Sequence, residues 1–510
     1  MASLLPLRAW WPEPLSRLKA YLPEMVAFAV SALLAVASGV LVAHGNPVNV
    51  ALLMGMVAGF VLLARPQLIV WLILVGTLLV MGPVGLFFPG LLKISWAFSL
   101  LGVMLLGIAT VRLLLNADAR EGMPVFVWLL AALPVYAVLA SLPADSSLNE
   151  SAAGWKRIFQ FFGLLLFVAA LPVNADSERL LARCCRFLFW LALLQLPFAL
   201  YQYLFLVPLR IGMGDGVVPI DIVSGSFEAN MTGGGSSGTM AMFLLCGLAG
   251  TLTAWHRRVI PVWGALAAVP LLCAPLLLGE TKVVLILLPV VLLFAYRDVI
   301  RRSPLLAVLL VLLLASAMVA LLWVYFVFFN DGLLTPEQQF VQAIAYNFGE
   351  HGYVDRYSLN RTTVLSFWFA EHGWHNPLET FFGHGLGASY SADATLQAGY
   401  LSRRYPLMNI NLNTLSTLLW DTGLAGALLF CLALFALLRS TWRVQAPPGV
   451  AAALQVAACC FLLALWYSDA LIVASSFEVL FAFAAGYLAW LVKKERKRDE
   501  AAVPDPRTLS

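Results

Sequence analysis

Apolar runs long enough to cross a bilayer follow one another from residue 24 to residue 492, which no soluble core could absorb. A helix needs roughly 20 such residues to cross the hydrocarbon layer. The sequence predicts spans at 24–43, 49–64, 68–90, 95–111, 124–142, 158–173, 187–208, 237–255, 260–279, 283–296, 304–329, 409–437, 449–467 and 471–492. Two neighbouring pairs are separated by only two or three residues, so the expected fold is an all-α polytopic integral membrane protein of about 12–14 transmembrane helices. Composition agrees. The chain is 62% hydrophobic and 11% charged, against about half and a quarter in soluble domains, which excludes disordered, collagen-like and disulfide-scaffold classes. Seven cysteines lie in apolar runs or at a membrane edge with no CxxC pair, so neither a disulfide nor a zinc site is expected from them.

Charge sets the expected orientation. If residues 1–23 form a cytoplasmic, interfacial segment rather than a cleaved signal, 22 of the 31 lysines and arginines fall on the cytoplasmic side, ending in the KKERKR tail of residues 493–510. That asymmetry follows the positive-inside rule and places both termini in the cytoplasm. The tail reads as a topology anchor against anionic headgroups. Between these ends, residues 24–492 make one transmembrane domain with two long outer loops, 209–236 and 330–408. The second is rich in aromatic residues and holds four of the six histidines. Its helix signals, Thr335-Pro336-Glu337 and Ser358 or Asn360 before a run to Gly373, predict a small folded helical cap outside the membrane.

The nine basic residues on the outer side are the informative minority: Lys93, Lys156, Arg157, Arg210, Lys282, Arg356, Arg361, Arg403 and Arg404. Lys282, in GETKVVLIL, stands at the outer end of a span, where a charge either pairs with Glu280, snorkels, or is in use. Arg361 opens a predicted loop helix, where a guanidinium beside free N-terminal amides suits a phosphate; pairing with Asp355 or Glu371 is the plainer reading. The GGGSSG stretch at 233–238 is either a surface linker, which the composition favours, or a phosphate nest at a helix start. His372, His375 and His384, with Glu371 and Glu379, are acid/base candidates, His384 first because glycines on either side would let a sugar chain approach. HGWH has poor spacing for ligands on one helix face, so no metal is expected.

These residues carry a resemblance. The stretch from Arg361 through Trp368 to PLETFFGHGLGASY resembles the arginine, tryptophan and spaced glycines of the O-antigen ligase and polymerase superfamily of bacterial surface-polysaccharide assembly. NLNTLSTLLWDTGLAG resembles its next motif, GSFEANMTGG resembles its GTFxxPN segment, and GETKVVLIL occupies the place of its SRG-type arginine. Together these cover roughly residues 150–440. Two positions depart: Lys282 stands where the family has arginine, and Leu412, beside Asn413, stands where ligases have histidine. The second departure favours a polymerase.

The resemblance implies a GT-C-like, metal-independent membrane glycosyltransferase without cofactor, working at the periplasmic face of the bacterial inner membrane. It would polymerise undecaprenyl-pyrophosphate-linked repeat units into a surface or exopolysaccharide. Lys282, Arg361, Arg210 and Arg157 would then bind the pyrophosphate, with His384, His372, His375 or Glu371 as acid or base. Expected partners are this lipid-linked glycan, membrane lipid, and a chain-length regulator and flippase of the same pathway, with no nucleic acid. A ligase acting on a lipid or protein acceptor is the alternative enzyme. A lipid-linked oligosaccharide flippase or transporter is the alternative from another class, although it predicts internal repeats that the sequence does not show.

Overall fold

The computed structural model describes residues 61–213, 218–232, 236–303, 335–349, 358–373, 376–391 and 398–502, with isolated positions at 59 and between 305 and 316. Residues Ile69–Ser510 form one compact unit, to which all that follows refers. Its regular elements among the described residues are helices: α1 (Pro66–Phe87), α2 (Pro89–Leu115), α3 (Val125–Ser141), α4 (Leu148–Phe159), α5 (Phe162–Ala169), α6 (Ala175–Ile211), α7 (Ser237–His256), α8 (Val262–Leu278), α9 (Val283–Ala295), α10 (Thr363–His372), α11 (Pro377–Phe382), α12 (Thr414–Thr441), α13 (Pro448–Tyr467) and α14 (Ser475–Ala502), with the expected loop helix Pro336–Phe348, capped by Thr335, between α9 and α10, and shorter helical pieces elsewhere. Seven are long and apolar enough to cross a membrane, or eight if the bent pair α4 and α5 is one span. The protein is therefore an all-α, multi-pass membrane protein. The spans expected at 24–43 and 304–329 and most of that at 49–64 lie outside the described residues.

The expected span at 158–173 is corrected. Helix α4 begins ten residues earlier, at a Ser147–Glu150 capping box, and the chain bends by 45° between α4 and the eight-residue α5. The bend has a physical cause. Gln160 turns its amide into the protein, donating to both carboxylate oxygens of Glu478 at 3.0 Å and accepting from Ser99 at 2.6 Å. Here α2 crosses so closely that a Cβ on Gly102 would strike the Gln160 carbonyl, and one on Gly163 the Gly102 carbonyl. Small residues permit such backbone contact within a membrane.

Within loop 209–236, residues 222–227 run buried rather than over the surface. Helices α1 and α6 each carry a π-turn, at Gly76–Val80 and Gln202–Leu206. Such turns disturb the regular ladder and leave carbonyls for other donors. Ser226 Oγ donates to the Leu78 carbonyl at 2.6 Å. Gln202 Oε1 accepts from the Ser224 and Gly225 amides, and Gln195 Oε1 from that of Ser226. Ser224, Ser226 and Phe227 are fully buried. Buried irregular backbone is tolerated where its polar groups find protein partners, as these amides and hydroxyls do.

Candidate functional site

The end of α13 at Tyr467 and the seven residues that part it from α14, Ser468 to Ala474, gather the starts of several helices. Thr414, first residue of α12, donates its amide (3.0 Å) and hydroxyl (2.8 Å) to the Ser468 carbonyl. Gly238, in the first turn of α7, faces the Tyr467 ring. Glu228 reaches from the buried loop to accept the backbone amide and hydroxyl of Ser476 in the first turn of α14. Arg361, two residues before α10, donates Nε to the Tyr467 carbonyl at 2.6 Å and stacks on its ring at 4.5 Å. Its second nitrogen bonds Asn347 Oδ1 at 2.6 Å, and Asn413, the cap of α12, donates to the Arg361 carbonyl. Asn360 caps α10 by accepting the Thr362 and Thr363 amides.

Arg157 approaches the same break from α4. Its guanidinium lies 3.9 Å from Asp469 and 4.1 Å from the centre of the Tyr390 ring, and is largely buried. Desolvation raises the Asp469 carboxyl above the ordinary range, with Arg157 pulling it back. Lys156 covers Trp96 at 4.3 Å. The electrostatic character is that of concentrated donors: two arginines and several helix N-termini, whose partial positive charge favours anions.

Of the residues expected at the pyrophosphate, Arg361 and Arg157 meet across Tyr467–Asp469. Arg210 and Lys282 form a second group about Asp221, whose carboxyl is raised by burial against the lowering influence of both cations. The two groups share α7 as neighbour: Tyr467 lies by Gly238, while Gly279, three residues before Lys282, packs against Met240 one half-turn on.

The histidines occupy a different place. Three glycines of GHGLG, Gly383, Gly385 and Gly387, have φ values of 76°, 89° and 79°, a region that L side chains rarely adopt. Their open sides are filled by the protein itself: Gly383 by Asp421 and Gly423, Gly385 by Ser146, Gly387 by Glu150. The room for a sugar chain expected beside His384 is therefore taken up by the protein. Helix α12 kinks at Gly423 (φ 66°), which frees the Trp420 and Asp421 carbonyls for the His384 and Gly385 amides. The Asp421 carboxylate accepts the Gly387 and Ser389 amides at 2.8 and 2.9 Å.

His384 is engaged at both ring nitrogens, by Tyr400 at 2.9 Å and His372 at 2.7 Å, and burial, His372 and Arg404 push it down to about 4. His372 bonds the Trp368 carbonyl, and Glu371 accepts from Tyr405. His375 lies outside the described residues. Although HGWH alone is a poor ligand motif, the chain reversal between α10 and α11 brings His372, Glu379 and His384 ligand atoms within 4.8 Å of one another.

Sequence reasoning missed Tyr467, Asp469, Asp421, Glu478 and Gln160. A signal existed for the acids: each interrupts or directly flanks an apolar run, where an ionisable residue marks function or a buried network. Acids were weighed as candidates only where they accompany the histidines of loop 330–408, at Glu371 and Glu379, and not at the edges of the apolar runs. Comparison with known proteins finds no matching family model and no matching curated protein.

Proposed function

We propose that this protein is a polysaccharide polymerase that elongates an undecaprenyl-pyrophosphate-linked glycan at the periplasmic face of the inner membrane. The observation that carries the reading is Arg361, held by the Tyr467 carbonyl and ring at a break where helix starts and a second arginine converge. A pyrophosphate leaving group carries its own activation. The protein's tasks are to neutralise the charge that develops on it, exclude water and aim an acceptor hydroxyl at the anomeric carbon. Arg361 and Arg157 would take the phosphates, with Lys282 and Arg210 in the second group about Asp221. Each charge-assisted contact is worth about 1.5–3 kcal/mol.

The proton of the acceptor hydroxyl goes to Asp469 in this reading. The site supports that role: a carboxyl of raised affinity for protons, partly exposed, beside Arg157. The histidines are left out of the chemistry because their ring nitrogens serve one another, Tyr400 and a backbone carbonyl.

Lipid-linked glycan extracted from a deletion strain tests the class of reaction. Accumulated single repeats are expected. Normal-length chains left unattached would instead make the protein a ligase, and unchanged glycan would remove both readings.

A further inference from the structure

We infer that His372, Glu379 and His384 form a site for a divalent late transition metal of the zinc class, a structural clip independent of the polymerase reading. The three ligand atoms already converge: His372 Nε2 and His384 Nε2 lie 2.7 Å apart, and Glu379 Oε2 lies 3.9 Å from the latter. Two imidazoles and a carboxylate are a common donor set for zinc, which holds nitrogen at about 2.0–2.1 Å in a tetrahedron whose fourth position a water would take here. Inserting the ion requires the two Nε2 atoms to separate to about 3.3 Å, a small ring rotation on that geometry. Glu379, with a side chain 42% exposed, has the freedom to close in.

What distinguishes the cluster from a chance meeting of histidines is its supporting layer. Metal-bound imidazoles almost always give their other nitrogen to an acceptor that fixes tautomer and orientation. His372 Nδ1 is 2.9 Å from the Trp368 carbonyl, which can only accept, so the proton sits there and Nε2 presents its lone pair. His384 Nδ1 faces the Tyr400 hydroxyl at 2.9 Å, which accepts equally well. Asn376 Nδ2 donates to the candidate ligand oxygen of Glu379 at 2.6 Å. Aromatic rings flank both imidazoles: Trp368 stacks on His372 and Trp420 packs edge-on against it, while Trp420 and Tyr400 lie against His384. The His384 backbone is fixed by the α12 kink through the Trp420 carbonyl.

One alternative fills the same gap without an ion. A proton on His384 Nε2 would donate to His372, with the Tyr400 hydroxyl donating to His384 Nδ1. The two arrangements differ in metal content and in which His384 nitrogen carries the proton. A bound ion would tie the end of α10, the helix that Arg361 precedes, to the GHGLG turn.

The test uses full-length protein purified in detergent without added metal, then treated with chelator and titrated with Zn2+ or Co2+. Expected are about one equivalent of metal per chain, a thermal midpoint that rises with free Zn2+ as binding linkage requires, and tetrahedral Co2+ absorption. His384→Gln and His372→Gln should abolish all three, while His256→Gln, at the far end of α7, leaves them intact. Tyr400→Phe and Asn376→Ala should weaken affinity by roughly 10- to 100-fold, the usual cost of losing such a support. Wild-type protein with less than about a tenth of an equivalent and no midpoint shift at micromolar Zn2+ would overturn the proposal in favour of the proton, even if every variant misfolds. Loss of metal with glycan elongation intact would leave the clip and the polymerase reading separately judged.

Discussion

Two regions of this protein, the GHGLG turn with the α12 kink and the glycine-free break from Tyr467 to Ala474, each centre on an aspartate and differ in what surrounds it. In GHGLG and the α12 kink, positive-φ glycines bring backbone against backbone, and a buried aspartate satisfies the amides that result. At the Tyr467–Ala474 break, helix starts and cations meet around a partly exposed aspartate. The first is a joint, closed by its own chain. The second brings two arginines, each held by its neighbours, to one helix break. The glycine motif on which the resemblance leans most is thus occupied with packing, and the proposed pyrophosphate site is drawn instead at the helix break.

Breaking the joint should have the largest effect, and on folding. A Cβ at Gly423 would meet the Phe381 carbonyl and the Gly383 amide at a φ of 66°. Overpacking and backbone strain together cost about 3–5 kcal/mol. Gly423→Ala should lose most folded protein, seen as early-eluting aggregate on size exclusion. A monodisperse peak at wild-type yield would mean that the loop does not seat on the kink as described.

The helix break should behave in the opposite way, keeping the fold and losing turnover. A positioned general base is worth about 10²–10⁴ in rate, so Asp469→Asn should slow glycan elongation by at least about 100-fold while eluting normally. An undiminished rate would return the acceptor proton to another group.

A smaller and purely physical effect sharpens the contrast. Glu228 holds the start of α14 through Ser476, and desolvation raises its carboxyl above the ordinary value. The sign follows from linkage: a carboxyl raised in the folded state favours folding below its unfolded value near 4.5, and this advantage is lost as pH rises through the folded value. Wild-type protein should lose thermal stability from pH 5 to pH 8 by more than Glu228→Gln does, by about 2 °C or more. Parallel curves for the two proteins would place Glu228 in an ordinary solvated setting.

Seven of the expected spans were legible because hydropathy over 20 residues depends on little else, while those at 124–142, 260–279 and 283–296 are shorter apolar helices; the α10 cap was legible because Asn360 acts on its immediate neighbours. The α4–α5 bend was not. Its cause, Gln160 against Glu478, joins residues more than 300 positions apart, and the apolar run after Ile158 looks like any other span. The buried course of loop 209–236 depends on π-turns in two distant helices. At the candidate site the arginines could be found by asking which charges lie on the unexpected side. Their partners could not, because Tyr467 and Asp469 matter only through where α13 stops.

The central claim is that Arg361 serves the donor's pyrophosphate. The direct measurement is elongation of lipid-linked repeats by reconstituted Arg361→Ala beside wild type, with both shown to be folded. Losing one charge-assisted contact in the transition state should cut turnover by roughly 10- to 150-fold. A folded Arg361→Ala protein that elongates glycan at the wild-type rate would contradict the account.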